Sequence, residues 1–183
     1  MLEHIKIIDG NILLWIQEHI RNPYLTPFMK RISMLGNAGM IWVLIVLILL
    51  LWKPKREVGI LVLTSILINV VINNLFLKNI VARTRPYERI PEIKLLLHKA
   101  VDYSFPSGHS SCSFAAAVVM FLCLPRRWGI PALILATLIA LSRLYVGIHY
   151  PTDVAFGIMS GSLIGYMVGG YGKNKFLQKG HMA

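Results

Sequence analysis

"SFPSGHSSCSFAAAVVM", Ser104 to Met120, sets the reading of the whole chain. It places a proline, a hydroxyl, a glycine and a histidine directly ahead of a run of small apolar residues. A titratable imidazole at the mouth of such a run is costly at membrane depth, so its presence asks for a use. The run continues from Ser110 to Leu124 without a formal charge, and four others resemble it: Met34 to Trp52, Val58 to Leu77, Trp128 to Ser142 and Val154 to Gly172. These approach the roughly 20 residues a helix needs to cross a bilayer. The two shorter ones extend past one flanking polar residue each, His109 and Arg143. The pattern predicts an all-α fold, a polytopic membrane helical bundle of five transmembrane helices, or six if the N-terminal segment also crosses.

That segment is ambiguous. "IKIIDGNILLWIQEHI", Ile5 to Ile20, carries Asp9 and Glu18 inside an apolar pattern. This suits an amphipathic helix lying in the interface or a poor first span. It lacks the uninterrupted apolar core and small-residue cleavage site of a secretory signal, so no processing is expected. One domain is expected over 1–183, with residues 1–33 as the N-terminal segment, 34–172 as the bundle and 173–183 as a basic tail.

Composition excludes a soluble globule, since 56% of the residues are hydrophobic and 15% charged. The net charge of +11 does not mark a nucleic-acid binder. The basic residues flank apolar spans, as membrane topology requires, and form no single stripe. Cys112 and Cys123 fall in one span, roughly 16 Å apart at helical rise, and cannot pair with each other; they read as small apolar fillers.

Sidedness follows from alternation of the spans. "WKPKRE", "PRR" and the tail share one face, with Lys53, Lys55, Arg56, Arg126, Arg127, Lys173, Lys175 and Lys179. Dense positive charge in short loops marks the cytoplasmic side. The long connection after Leu77, His109 and "HYPTD" then face periplasm or exterior. In the last span Gly157, Gly161, Gly165 and Gly169 line one helix face at four-residue spacing. Such a face allows close helix approach, within the monomer or in a weak homodimer. Asn69, Asn73 and Asn74 read as helix-to-helix hydrogen bonds.

Three polar groups meet at the outward face: Lys78 with Arg85, "PSGH" from Pro106 to His109, and "SRLYVGIHYPTD" from Ser142 to Asp153. Lys78, Arg85 and Arg143 supply cationic donors, and the planar guanidinium matches phosphate oxygens. Ser107 and Gly108 open a helix, where free N–H groups favour an anion; Ser107 also suits a helix cap. His109 and His149 remain, with Asp153 four residues beyond the second. One neutral imidazole can attack phosphorus while a carboxylate fixes its tautomer. The other can protonate the departing oxygen. Two histidines and an aspartate could also bind zinc or iron, but three cations around them would repel a metal ion. His4, His19, His98 and His181 read as surface residues.

At these residues the chain resembles the type-2 phosphatidic acid phosphatase superfamily, membrane lipid phosphatases related to vanadium haloperoxidases. The family's signatures, K-x6-R-P, P-S-G-H and S-R-x5-H-x3-D, stand here as "KNIVARTRP" (Lys78 to Pro86), "PSGH" and "SRLYVGIHYPTD" without a substitution. The resemblance covers Lys78 to Asp153 at motif level. It implies an acid phosphatase/vanadium haloperoxidase-like core with the site near the outer membrane surface. It implies that His149 is the nucleophile forming a phosphohistidine, Asp153 its orienting partner and His109 the general acid. Lys78, Arg85, Ser107, Gly108 and Arg143 would hold the phosphate, with no metal or cofactor. The substrate implied is a membrane lipid phosphate: undecaprenyl diphosphate, phosphatidylglycerophosphate, phosphatidic acid or lipid A. Arg83 and "YERIPEIK" lie outside the signatures. A phosphotransferase on the same scaffold and a phosphate-binding transporter are the alternatives. The clustering of charge at one end of the spans argues against transport.

Overall fold

The computed structural model of the chain describes residues 2–180, with side chains over 4–174; the positions of Lys175, Lys179 and His181 in the expected tail lie outside the described side chains. The helices are α1 (Leu2–His19), α2 (Leu25–Leu35), α3 (Met40–Leu51), α4 (Arg56–Asn69), α5 (Lys78–Val81), α6 (Pro86–Arg89), α7 (Gly108–Cys123), α8 (Arg126–Tyr145) and α9 (Pro151–Gly180). A π-helical stretch, Val70–Leu77, joins α4 to α5 without a break. Among the described residues there is no β-strand.

Helix α7 is the centre of the bundle and packs against α9, α8 and α4. Its small residues make this possible: Ala115, Ala116, Ala117 and Val119 are fully buried, beside Trp42, Val62, Ala136 and Ile139. Trp42 has its indole N–H satisfied by Ser113 Oγ at 2.9 Å, so even the largest core side chain leaves no orphan donor. The glycine face of α9 is filled by α7 from the same chain. A Cβ on Gly161 would lie 2.2 Å from the Ser111 carbonyl oxygen, and one on Gly165 2.7 Å from that of Ala115. The close approach expected of the stripe is thus made within the chain, against α7.

Outward, the apolar residues are exposed as a bilayer requires: Leu44, Leu47 and Ile48 on α3, Ile60 and Leu67 on α4, and Met159, Leu163 and Met167 on α9. Three stretches are long and apolar enough to cross: Lys53–Arg89, α8 and Pro151–Asn174. The pair α2 and Asn37–Leu51 meets the same test only together, bent by 55°. The five to six spans expected from sequence are therefore not confirmed as a number. Helix α7 has 16 residues, roughly 24 Å at helical rise, and lies inside the ring of its neighbours. The expected first span also differs at its start. "GNAG" interrupts it, with Ala38 at φ 49° and Gly39 at φ 68°. Left-handed backbone at consecutive positions cannot continue a right-handed helix.

Helix α1 packs on α8 and α9. The basic loops sit at the opposite end of the bundle from the motifs: Gly172 touches Leu61, and Gly169 touches Leu122, near the "PRR" turn.

Candidate active site

Three separate segments carry the polar residues to one end of the bundle. The π-helical stretch delivers Lys78, and π-helical geometry shifts the register of residues on a helix, often beside a site. The chain then stops at Ala82, in the left-handed region at φ 47°, and runs extended into Arg85. Pro86 opens α6. Ser107 caps α7: its Oγ accepts from the Ser110 N–H at 3.4 Å. The last turn of α8 carries Arg143, and a tight turn with Gly147 at φ 78° places His149 before α9.

Lys78, Arg85, Gly108, His109, Arg143 and His149 line one open cavity of about 900 Å³. Ser107 and Asp153, expected with them, are fully buried behind its wall. The rest of the wall is largely apolar, with Met34, Val43, Ile66, Val70 and Leu95 to Leu97. Both imidazoles therefore share one chamber.

His149 is 1% exposed. Its Nε2 accepts from Arg85 Nη1 at 3.4 Å, which leaves the lone pair on the cavity side and the proton on Nδ1. The Asp153 carboxylate does not touch Nδ1 directly; Oδ2 stands 3.7 Å away. Ser104 lies between, its Oγ 3.5 Å from Nδ1 and donating to Asp153 Oδ2 at 2.5 Å. The dyad expected from spacing is thus a relay through a serine. Burial pushes the His149 imidazole down to about 4, against the raising effect of the Asp153 carboxylate, with the charges of Arg85 and Arg143 lowering it further. The ring is neutral at physiological pH.

His109 reaches across to the "GNAG" turn, where its Nε2 bonds Asn37 Oδ1 at 3.0 Å. Arg143 donates through Nη1 to Ser33 Oγ, while its buried Nε has no partner. Arg85 braces the loop ahead of α7, donating from Nε to the Asp102 carbonyl at 2.8 Å and from Nη1 to that of Ile148 at 2.9 Å.

Several residues here were not read from sequence. Ser104 is one. Asn74 is another: its Oδ1 is buried without a partner, the residue lines the cavity, and a Cβ on Gly108 would stand 2.9 Å from that oxygen. The asparagines do not join two helices as expected, because Asn73 Nδ2 donates to Asn69 Oδ1 on the same helix at 2.7 Å. His98 is exposed, as expected of a surface residue, and also stands at the wall of the open cavity.

Asp102 is the most consequential addition. One carboxylate oxygen accepts from Lys78 Nζ at 2.5 Å and the other from Arg85 Nη2 at 2.5 Å. Burial alone would raise its carboxyl, but the hydrogen bond and charge of Lys78, with those of Arg85, hold it at about 2. Its side chain is half exposed. The carboxylate spans the two cations as two oxygens of a phosphate would. A phosphate bound there must compete with it, so Asp102→Asn should tighten inhibition by vanadate or inorganic phosphate by about 2- to 5-fold, the scale of an exposed ion pair. Weaker inhibition in a vanadate titration would show instead that Asp102 holds the cations in place.

Comparison with known proteins shows the family and the fold. The chain is 35% identical over 127 residues to the undecaprenyl-diphosphatase of Sulfolobus acidocaldarius, covering 69% of this chain and 61% of that one. It is 32% identical over 175 residues to phosphatidylglycerophosphatase B of Bacillus subtilis, covering 87% and 82%. Among solved structures, a transmembrane PAP2-type phosphatidylglycerolphosphate phosphatase from Bacillus subtilis superposes with a TM-score of 0.78 at 27% identity, covering 93% of this chain and 87% of that one. The family model described as the PAP2 superfamily matches residues 58–176, the stretch that holds His109, His149, Lys78, Arg85 and Arg143. This membrane protein belongs to the PAP2 superfamily.

Proposed function

We propose that the chain is a metal-independent membrane lipid phosphatase that works through a phosphohistidine on His149, with His109 as general acid. One observation carries this reading: Lys78, Arg85, Arg143, His109 and His149 line a single cavity whose remaining wall is largely apolar. Cations suit a phosphate and an apolar wall suits an acyl or prenyl chain. The relatives are named for different lipids, a diphosphate and a phosphatidylglycerophosphate. What they share is a phosphorylated lipid, so the substrate is a phosphate monoester or diphosphate lipid such as undecaprenyl diphosphate, phosphatidylglycerophosphate or phosphatidic acid.

The geometry supports the following course. Lys78, Arg85 and Arg143 take the phosphate oxygens and stabilise the charge that spreads over them in the transition state. His149 Nε2, unprotonated and facing the cavity, attacks phosphorus while the bond to the lipid oxygen breaks. His109 gives that oxygen a proton. The Nδ1–H of His149 is held through Ser104 by Asp153, which steadies the positive ring that forms. Water then attacks the phosphoryl group, His109 accepts its proton, the P–N bond breaks and phosphate leaves. Every residue in the sequence comes from one chain, so a monomer suffices.

The site end of the bundle faces the periplasm or exterior of the cell membrane. Support comes from the opposite end, which collects Lys53, Lys55, Arg56, Arg126, Arg127 and Lys173. A panel of undecaprenyl diphosphate, phosphatidylglycerophosphate and phosphatidic acid, presented in mixed micelles, tests the reading. Phosphate should be released from at least one lipid, with chelator present. A newly phosphorylated lipid in place of free phosphate would make the chain a phosphotransferase, and phosphate flux in liposomes without ester cleavage would make it a transporter.

A further inference from the structure

Arg83 lies outside the signatures and does not line the cavity. Its guanidinium turns the other way. Nη1 donates to Asp153 Oδ1 at 2.6 Å and to Thr152 Oγ1 at 2.7 Å. Nη2 donates to Asp9 Oδ2 at 2.7 Å. The plane is held over the Tyr150 ring, 3.9 Å from its centroid. We infer that Arg83, fixed by Asp9 of α1, is a positioning residue that aims the Asp153–Ser104 relay at His149. This rests on the proposed role of His149.

Two features make the contact a positioning device and not a plain ion pair. First, Arg83 acts on both members of the relay. Its side chain takes Oδ1 of Asp153, and its backbone carbonyl accepts from the Ser104 N–H at 2.8 Å. Ser104 Oγ in turn takes Oδ2 of the same carboxylate at 2.5 Å, and the Tyr150 N–H takes Oδ2 at 3.0 Å. With both oxygens committed, the carboxylate cannot rotate. Second, Asp9 grips the start of α9 as well as Arg83. Its Oδ1 accepts from the Thr152 N–H at 3.1 Å and its Oδ2 from Thr152 Oγ1 at 2.5 Å. Asp9 therefore caps the first turn of the helix that carries Asp153, from a position 143 residues away in sequence. At 2% exposure, an aspartate on the buried side of this amphipathic helix is tolerated because the contacts it needs are supplied here. One of the acids that interrupt the apolar pattern of α1 is thus the residue that ties α1 to the site.

The charges facing His149 come from Arg85 in the linker, Arg143 on α8, His109 on α7 and Asp153 on α9. Removing Arg83 changes none of these directly. It frees the Asp153 carboxylate from a competing cation, so more of its negative charge acts on the imidazole. The test uses the full chain in nanodiscs, as wild type, Arg83→Gln, Arg83→Lys, Asp9→Asn and the Asp9→Asn/Arg83→Gln double variant. Arg83→Gln should lower kcat about 100-fold while KM and vanadate inhibition stay within about threefold of wild type, because the phosphate cup is untouched. Arg83→Lys should recover part of the loss. Asp9→Asn should lower kcat about tenfold, and the double variant should be no slower than Arg83→Gln alone, because both residues act through one contact.

Histidine-selective 15N NMR, with His149 assigned by its loss in His149→Ala, gives a readout that does not depend on turnover. In Arg83→Gln the His149 ring should titrate at higher pH than in wild type, and the acid limb of the rate profile should move up with it. An unchanged His149 titration, near-wild-type kcat in Arg83→Gln, or vanadate affinity falling in step with kcat would overturn the inference. A wild-type chain that cleaves no lipid would instead refute the proposed function, and the NMR comparison would still decide the role of Arg83.

Discussion

Replacing His149 by alanine should abolish phosphate release from every lipid substrate, by about ten-thousandfold or more, the scale on which loss of a covalent nucleophile is felt. The imidazole is 1% exposed and presents Nε2 to the cavity beside Arg85, so no other group stands where it could replace it as the attacking atom. The cations should survive the change, because Arg85 and Arg143 are held by partners other than His149. Inorganic phosphate should therefore still compete for the cavity of the inactive variant. The same placement fixes the pH dependence. The ring must be neutral to attack, and burial with two neighbouring guanidinium groups holds it at about 4. Activity should thus be lost as pH falls through about 4, well below the ordinary imidazole range near 6.5. An acid limb at ordinary histidine pH would mean that another group is being titrated.

His109→Ala carries the second large effect, and it should depend on the leaving group. For a lipid alkoxide, which is a poor leaving group until protonated, loss of general acid catalysis should cost about 100- to 10,000-fold in kcat. For p-nitrophenyl phosphate, whose phenolate departs unprotonated, the first step should slow by less than about tenfold. The second step still needs a base to deprotonate water, so the phosphorylated enzyme should accumulate. Comparing pre-steady-state release of nitrophenol with release of phosphate separates the two steps. Equal losses for both substrates would remove His109 from the proton transfer and leave it as a binding group.

The parts of this site that could be read from the chain are those with short-range signatures. Lys78 to Pro86, Pro106 to His109 and Ser142 to Asp153 are each contiguous, and apolar runs on either side fix which ends of the helices they occupy. Seven of the residues they contain line the cavity. Asp102 and Ser104 escaped because loop residues of common type carry no periodicity, and their role arises only when Arg85 and Asp153 arrive from elsewhere in the sequence. Asp9 pairs with Arg83 across 74 residues, and in sequence it reads only as a blemish in an amphipathic pattern. The bend at Gly36 to Gly39 was legible in principle from its glycines, yet it lies inside a charge-free run, and hydropathy alone does not see a turn. Helix α7 shows the converse: its length argues weakly for a span, while its run of alanines states plainly that other helices pack closely around it.

The central claim is that phosphorus becomes bonded to His149. His109→Ala should be mixed with p-nitrophenyl phosphate, quenched in alkali to preserve the P–N bond, digested and sequenced by mass spectrometry. A phosphoryl group on the His149 side chain, absent from the His149→Ala/His109→Ala double variant, is the predicted result. A phosphoryl group on any other residue, or turnover by His149→Ala at a rate near wild type, would contradict it.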